Sequence, residues 1–339
     1  MINPLEEKNW NSLILDHSEY SFFHTSNWTQ VLIDTYHYHP NYLVSFDNSN
    51  KLTTLIPLME VPSFLTGKRG VSLPFTDFCE LINDSNFTEI FIELTKYARA
   101  KKWKFMEFRG GDNFFSDIAP SSFYYHHSLN LTRGKDEIFS TFCSNTKRNI
   151  KKSIKENVKV ELLKTPEAMD YFYDLNCKTR KKHGLPPQPY SFFQNIYKYV
   201  IAKGLGFIAL AFYDNRVIAG AVFFHFGTKA LYKFGASETE YLHLRPNNLI
   251  MWETIRYLIR RGFKEFSFGK TEPENDGLRR FKLGWGTSEE KIFTYKYDLR
   301  KDKFVPNPDS SKGFHNKFFR IMPIPFLKII GKSIYRHLG

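Results

Sequence analysis

The chain has 339 residues, with 48 Lys and Arg against 35 Asp and Glu, a net charge of +13, and 42% apolar residues. This balance excludes a disordered tail or a fibrous repeat, and at roughly 150 residues per domain it suggests two domains. The charge is local: residues 145–183 hold 11 basic and 5 acidic side chains, residues 300–339 hold 9 and 2, and the rest is neutral. A uniformly basic surface that wraps nucleic acid is therefore not what the composition describes. Aromatic residues reach 17%, which implies a large core, wide ligand-facing surfaces, or both.

The first residues, MINPLEEKNW, carry early acids and no apolar run, so they do not read as a signal peptide. The longest charge-free apolar stretches, near 205–213 and 217–226, fall short of the ~20 residues a spanning helix needs. Cys79, Cys143 and Cys177 are odd in number and widely spaced, which suits a reducing compartment better than a disulfide framework or a zinc site. The expected setting is cytoplasmic, with no metal.

In chain order, NYLVSFD (41–47) and KLTTLIPLMEV (51–61) make a hairpin across a polar turn. GKRGVSLPFTDFCE (67–80) is a turn-rich loop. FTEIFIELTKYARAKK (87–102) is an amphipathic helix that feeds the strand WKFMEFRGG (103–111). Residues 146–162, TKRNIKKSIKENVKVEL, begin as a helix on which Arg148, Lys151, Lys152 and Lys155 share one face. Such a stripe suits phosphate as well as it suits a solvated face. Two further helical stretches, 166–182 and 191–204, flank the Pro-rich loop HGLPPQP (183–189). Three short strands follow, 205–213, 216–226 and 229–236, joined by tight turns into an antiparallel meander. A helix over 247–262 comes next, with apolar residues at Leu249, Ile250, Trp252, Ile255, Leu258 and Ile259. A strand at 265–269, a short basic helix at 277–286 and a strand at 291–299 complete the body. The helix-then-strand pair and the hairpin recur at offsets of 160 and 165 residues, which points to an internal duplication.

After the last strand, residues 300–313 read as a linker. The final segment interleaves large apolar residues with Lys317, Arg320, Lys328, Lys332 and Arg336, and Pro323 and Pro325 split it into two short pieces. That pattern fits an interfacial helix on an anionic membrane, or a helix docked on the protein.

The order of helices, meander, long helix, strand, helix and strand resembles the GNAT acyltransferase fold. In that fold two neighbouring strands part, and freed backbone N–H groups can bind a carbonyl under attack. The chain has no G-x-S-x-G, H-E-x-x-H or P-loop motif, which agrees with direct attack by an amine. The glycine-rich pyrophosphate cradle of coenzyme-A-using members is missing from GASETEYLHLRPNN (235–248). The segments 146–162, Thr179-Arg180 with HGLPPQPYSFF, RPNNLIMWETI and FSFGKTEPENDGLRRFKLGWG resemble the FemAB group and the CelD-type polysaccharide-cluster acyltransferases.

This resemblance implies an α/β (α+β) fold of two tandem GNAT-like domains, each a mixed, mostly antiparallel sheet flanked by helices. The expected divisions are 1–144, 145–299 and a tail at 300–339. It implies an acyltransferase moving an aminoacyl or acetyl group to an amine of a peptidoglycan or exopolysaccharide precursor, lipid-linked acceptors included. The donor would be aminoacyl-tRNA or acyl-CoA, with no tightly bound cofactor. Lys282 is the implied catalytic residue, stabilising charge on the donor ester, against the alternative of a solvated lysine beside Arg279 and Arg280. Phe281 would line the acyl channel. Arg180 would face the acceptor, or simply complement a helix C-terminus. Asp77 would contact the acceptor or cap local N–H groups, and Arg69 would bind phosphate. Asn248 would bind ligand or cap its helix, and Arg148 and Lys152 would meet donor or acceptor phosphates. Contact of the tail with the inner face of an anionic membrane belongs to the same reading. The alternatives are a tRNA- or phosphate-binding module without catalysis and a membrane-surface scaffold.

Overall fold

The computed structural model describes residues 1–83, 87–306 and 315–339. In chain order the helices and strands begin with α1 (Trp10–Leu15), α2 (Ser26–Tyr36), β1 (His39–Phe46), β2 (Leu52–Val61), β3 (Arg69–Ser72) and β4 (Ile82–Asn83). Then come α3 (Phe87–Ala100), β5 (Phe105–Arg109), β6 (Ser122–Asn130), α4 (Lys135–Thr141), α5 (Ser144–Lys155) and β7 (Lys159–Leu163). α6 (Pro166–Lys182), α7 (Tyr190–Ile196), β8 (Gly206–Tyr213), β9 (Arg216–Phe226) and β10 (Lys229–Ser237) follow. The chain continues through α8 (Pro246–Arg260), β11 (Glu265–Thr271), α9 (Asp276–Leu283), β12 (Ser288–Asp298), β13 (Lys303–Phe304), α10 (His315–Ile321) and α11 (Ile324–Ile334).

The chain forms two compact units. One contains residues 1–124, 291–310 and 334–339; the other contains 125–290 and 311–333. These units do not follow the segments 1–144, 145–299 and 300–339 expected from the sequence. Strand pairing is the reason. β6, which follows the first unit's β5 in the chain, pairs with β11 of the second unit over residues 125–130. β12, which follows β11 and α9, pairs with β5 of the first unit over residues 294–298. Each unit thus takes its closing strand from the far side of the other's sequence.

In the first unit β1, β2 and β3 form an antiparallel meander, and β3 runs parallel to β5. Its core gathers Ile56, Leu58, Leu94, Ala98, Met106, Phe108 and Phe115 under α3. The second unit repeats this plan. β7, β8, β9 and β10 are antiparallel, β10 runs parallel to β11, and β11 meets β6. Its core includes Phe207, Phe223, Ile250, Trp252, Ile255, Leu258, Phe266 and Trp285. α3 and α8 hold the same place in each plan, as do β5 and β11, so the duplication read from spacing reappears as topology. α8 forms because Leu249, Ile250, Trp252, Ile255 and Leu258 recur at helical spacing and all are buried. Pro246 suits its first turn, and Gly262 at φ +77° ends it.

The segment expected as a linker contains the short β13, which pairs with β12; residues 307–314 lie outside the described residues. Pro323 lies between two helices, α10 and α11, while Pro325 falls in the first turn of α11, where a proline is tolerated. Among the described residues no helix is long and apolar enough to cross a membrane.

Candidate active site

The second unit's parallel strand pair defines the site. β10 and β11 are in register only from Lys229↔Glu265 to Leu231↔Ser267. β10 nevertheless continues to Ser237 and β11 to Thr271. Both strands are bent where they part. β10 has an irregularity against β9 between Tyr232 and Phe234, and β11 has one against β6 between Ser267 and Lys270. An extra residue in one strand turns it away from its neighbour, and the ladder between β10 and β11 ends there; this end of the ladder is called the notch below.

Two helix ends meet the far end of β10. At the C-terminal part of α6, Thr179 Oγ1 accepts a hydrogen bond from Ser237 N at 3.2 Å, and the Lys178 ammonium pairs with Glu238. At the start of α8, Asn247 Nδ2 donates to Ser237 Oγ at 3.4 Å. Arg180 and Asn248 are the sequence neighbours of Thr179 and Asn247, which make these contacts. Arg180 Nε also reaches Pro186 O at 3.4 Å, bracing the Pro-rich loop. Asn248 is buried inside the first turn of α8; the residue at the helix start is Arg245, in the left-handed conformation. Asn248 therefore does not cap the helix.

Tyr232 is the first β10 residue beyond the paired stretch. A Cβ added at Gly235 would stand 1.7 Å from the Tyr232 hydroxyl oxygen, so that hydroxyl fills the space a side chain would take. Gly235 is the residue that permits this close approach. Burial pushes the Tyr232 phenol up to about 12, so it holds its proton at neutral pH.

Lys282 lies on the β11 side. It is buried, and its Nζ donates to the carbonyls of Gly269 and Lys270, both at 2.9 Å. The solvated alternative for this lysine is thereby excluded. Its ammonium fixes the bent segment of β11. Phe281 is half-buried and packs edge-on against Trp285 at 6.1 Å.

Near Lys282 stands a polar network of His127, Glu289 and Arg279, whose pairing the sequence reading did not give. His127 is fully buried, and its Nε2 meets Glu289 Oε2 at 2.9 Å. Glu289 also accepts two hydrogen bonds from Arg279, at 2.7 and 2.6 Å. Arg279 in turn lies over the Tyr125 ring at 3.9 Å. Burial and then the Lys282 charge push the His127 imidazole below its usual value, and its Nδ1 is buried with no hydrogen-bond partner. The Arg279 hydrogen bonds pull the Glu289 carboxyl below the usual range. On the opposite face His126 Nδ1 pairs with Glu290 at 2.7 Å, and its Nε2 meets Ser267 Oγ at 2.8 Å. Adjacent histidines on β6 and adjacent glutamates on β12 point to alternate faces and pair one to one. That doubled pattern, His-His with Glu-Glu, was the signal available in the sequence.

The remaining expected residues stand as follows. Arg148, Lys151, Lys152 and Lys155 are all exposed on α5, as one face. Arg148 Nη2 is tied to Asn145 Oδ1 at 2.8 Å. Asp77 and Arg69 belong to the first unit. Asp77 is half-buried. Arg69 is buried, and its guanidinium donates to Gly339 O at 3.0 and 2.7 Å, to His337 O at 2.6 Å and to Thr66 Oγ1. These donors bind the protein's own carbonyls, which leaves little capacity for an external phosphate. Three of the tail's cations, Arg300, Lys301 and Lys303, line a first-unit cleft of about 510 Å³ with Lys104 and Lys296.

The coenzyme A cradle can be tested on the same geometry. A 3-10 turn at Thr239–Leu244 and the left-handed Arg245 occupy the approach to α8, and no glycine occurs from 236 to 261. The residues present do not fit a backbone cradle for pyrophosphate.

A meander, a parted parallel pair and a helix entering beneath it define a GNAT-type acyltransferase fold, here in tandem. The family profile described as an acetyltransferase (GNAT) domain matches residues 141–296. The lipid II:glycine glycyltransferase of Staphylococcus haemolyticus (strain JCSC1435) is 34% identical over 100 residues, which is 27% of this chain and 24% of that protein. The match thus spans about a quarter of that relative's length. Among solved structures, the crystal structure of FemX has a TM-score of 0.72 at 16% identity, covering 89% of this chain and 97% of that one. A tandem GNAT protein from the clavulanic acid biosynthesis pathway has a TM-score of 0.56 at 9% identity, covering 86% and 94%. Residues 141–296 thus match a GNAT acetyltransferase domain, and the fold of the chain is similar to that of FemX.

Proposed function

We propose that the second unit transfers an aminoacyl group from aminoacyl-tRNA to an amine of a lipid-linked peptidoglycan precursor. The observation that carries this reading is the parting of β10 and β11 after Leu231 and Ser267. In the notch the acceptor amine attacks the donor's ester carbonyl. Backbone N–H groups along the parted edge of β10 bind the oxygen as it gains negative charge. The Lys282 ammonium adds a positive charge at the β11 edge. As the tetrahedral intermediate collapses, the C–O bond to the nucleotide sugar breaks and the new amide remains on the acceptor. The attacking amine gives up one proton and the leaving oxygen takes one up, exchanged through solvent, while the protonated Tyr232 hydroxyl donates a hydrogen bond to that oxygen.

The poor fit to pyrophosphate supports aminoacyl-tRNA over acyl-CoA. The exposed basic face of α5 offers sites for a polyanionic donor. The named activity of the staphylococcal relatives supports the acceptor class. A second reading, a phosphate-binding module without catalysis, is favoured by one observation: Lys282 already serves two backbone carbonyls.

The test is a label-transfer assay. The protein is incubated with lipid II and either radiolabelled aminoacyl-tRNA or radiolabelled acetyl-CoA. Label moving from aminoacyl-tRNA to lipid II is the expected result. Label moving only from acetyl-CoA overturns the donor assignment, and transfer from neither supports the non-catalytic reading.

A further inference from the structure

The second unit carries an apolar surface that its function does not use. α11 docks by one face. Leu327 is fully buried, Gly331 lies so close to Pro187 O that a Cβ would stand 1.9 Å from it, and the Lys328 ammonium sits 4.8 Å from the Tyr173 ring centre. The opposite face is where a docked helix places polar residues. Here it presents Phe326 and Ile329, which are 60% and 64% exposed. α10, packed against α6, adds Phe318 and Ile321 at 55% and 77%.

Cations accompany these four side chains. Lys317, Arg320 and Lys332 are exposed on the same two helices, and no Asp or Glu occurs from residue 310 to the end of the sequence. The C-terminal part of α6 adds more: Arg320 is near enough to His183, with Lys182 and Arg180, to help lower that imidazole after burial has done so. Large apolar groups beside charge of a single sign match a surface that is apolar beneath and anionic above. Both helices are short, so they suit the plane of an interface and not a crossing.

We propose that the outward faces of α10 and α11 form a docking surface for an anionic lipid bilayer, with Phe318, Ile321, Phe326 and Ile329 inserted among the acyl chains and Lys317, Arg320 and Lys332 at the phosphates. Docking goes beyond the transfer chemistry and does not depend on the acyl donor. It holds the protein at the surface where a lipid-linked acceptor resides.

The experiment is vesicle flotation with the full chain. Vesicles of phosphatidylcholine mixed with phosphatidylglycerol are compared with phosphatidylcholine alone, at low and high salt. The expected result is binding at least tenfold stronger to the anionic vesicles, weakened by salt. The double variant Phe326→Ser/Ile329→Ser should reduce that binding at least tenfold, and Lys317→Glu/Lys332→Glu at least fivefold. These positions are exposed, and unchanged thermal melts confirm folded variants. Failure to bind, or equal binding to neutral vesicles, overturns the proposal. So does a dimer that Phe326→Ser/Ile329→Ser dissociates while vesicles go unbound, because the face then joins two copies of the chain. Lys282→Ala separates this from the transfer reading: it should lower label transfer at least ~tenfold and leave flotation unchanged.

Discussion

The two units share a plan, yet the parallel strand pair ends differently in each. In the second unit β10 runs on for six residues after its last pairing with β11, and the gap stays open. In the first unit β3 stops one residue after its last pairing with β5. Its own loop then closes the place. Arg109 N donates to Ser72 Oγ at 2.8 Å, Cys79 N donates to Arg109 O at 2.8 Å, and Gly111 N donates to Glu80 Oε2 at 2.9 Å. A duplicated fold thus keeps one open notch and seals the other with backbone and side-chain hydrogen bonds. Chemistry is expected where the parallel ladder ends early, and stability where it is closed by hydrogen bonds.

The largest effect expected from this contrast is at Lys282. Lys282→Ala removes a charge from the open notch and leaves two carbonyls unpaired, so transfer should fall at least ~tenfold and stability by about 2–3 kcal/mol. Lys282→Met, which keeps much of the volume, separates the two: a low rate in a protein of near-normal melting temperature is the expected outcome. A normal rate in that variant would remove Lys282 from the chemistry.

In the sealed unit the sensitive group is Glu80. Burial raises its carboxyl to about 7 from 4.5, opposed by the Gly111 N–H bond. The folded state therefore holds a proton that the unfolded state has released between those values, and stability declines as pH rises from about 4.5 through about 7. Glu80→Gln should flatten that decline, with a gain approaching ~3 kcal/mol above pH 7 and none below 4.5. Thermal melts across pH 4–8 would show it; parallel curves for the two proteins would contradict it.

A smaller effect is expected on α5. Arg148→Glu/Lys152→Glu should raise the KM for aminoacyl-tRNA about tenfold at low salt, and less at high salt, with kcat little changed. A salt-independent KM would return this face to the role of a solvated surface. The smallest effect is at Ser72. Ser72→Ala loosens the first unit's seal, costs about 1 kcal/mol, and should leave transfer at the wild-type rate. A large loss of transfer there would end the division of labour between the units.

How far the sequence carried can be judged residue by residue. The meander over β8, β9 and β10 and the long α8 were legible because local apolar periodicity and tight turns specify them. The strand exchange was not, since β6 reads SFYYHHSLN, a half-polar pattern whose partner β11 begins 135 residues later than its own end. Nothing local says which sheet such a strand will join. The burial of Lys282 was equally hidden. It stands beside Arg279 and Arg280 on one short basic helix, and the Gly269 and Lys270 carbonyls that receive it are not local in sequence. Arg69 was misread for a related reason: a cation in a turn-rich loop looks available until the backbone carbonyls of His337 and Gly339 arrive from the other end of the sequence.

The central claim, that the open notch of the second unit is where transfer occurs, is tested most directly by filling it. Gly235→Val places a side chain where the Tyr232 hydroxyl now lies, so that the tyrosine must shift. The measurement is the rate of label transfer from aminoacyl-tRNA to lipid II, wild type against Gly235→Val, each verified as folded by its thermal melt. The account predicts a loss of at least ~tenfold in the variant. A wild-type rate from a folded Gly235→Val protein would contradict it.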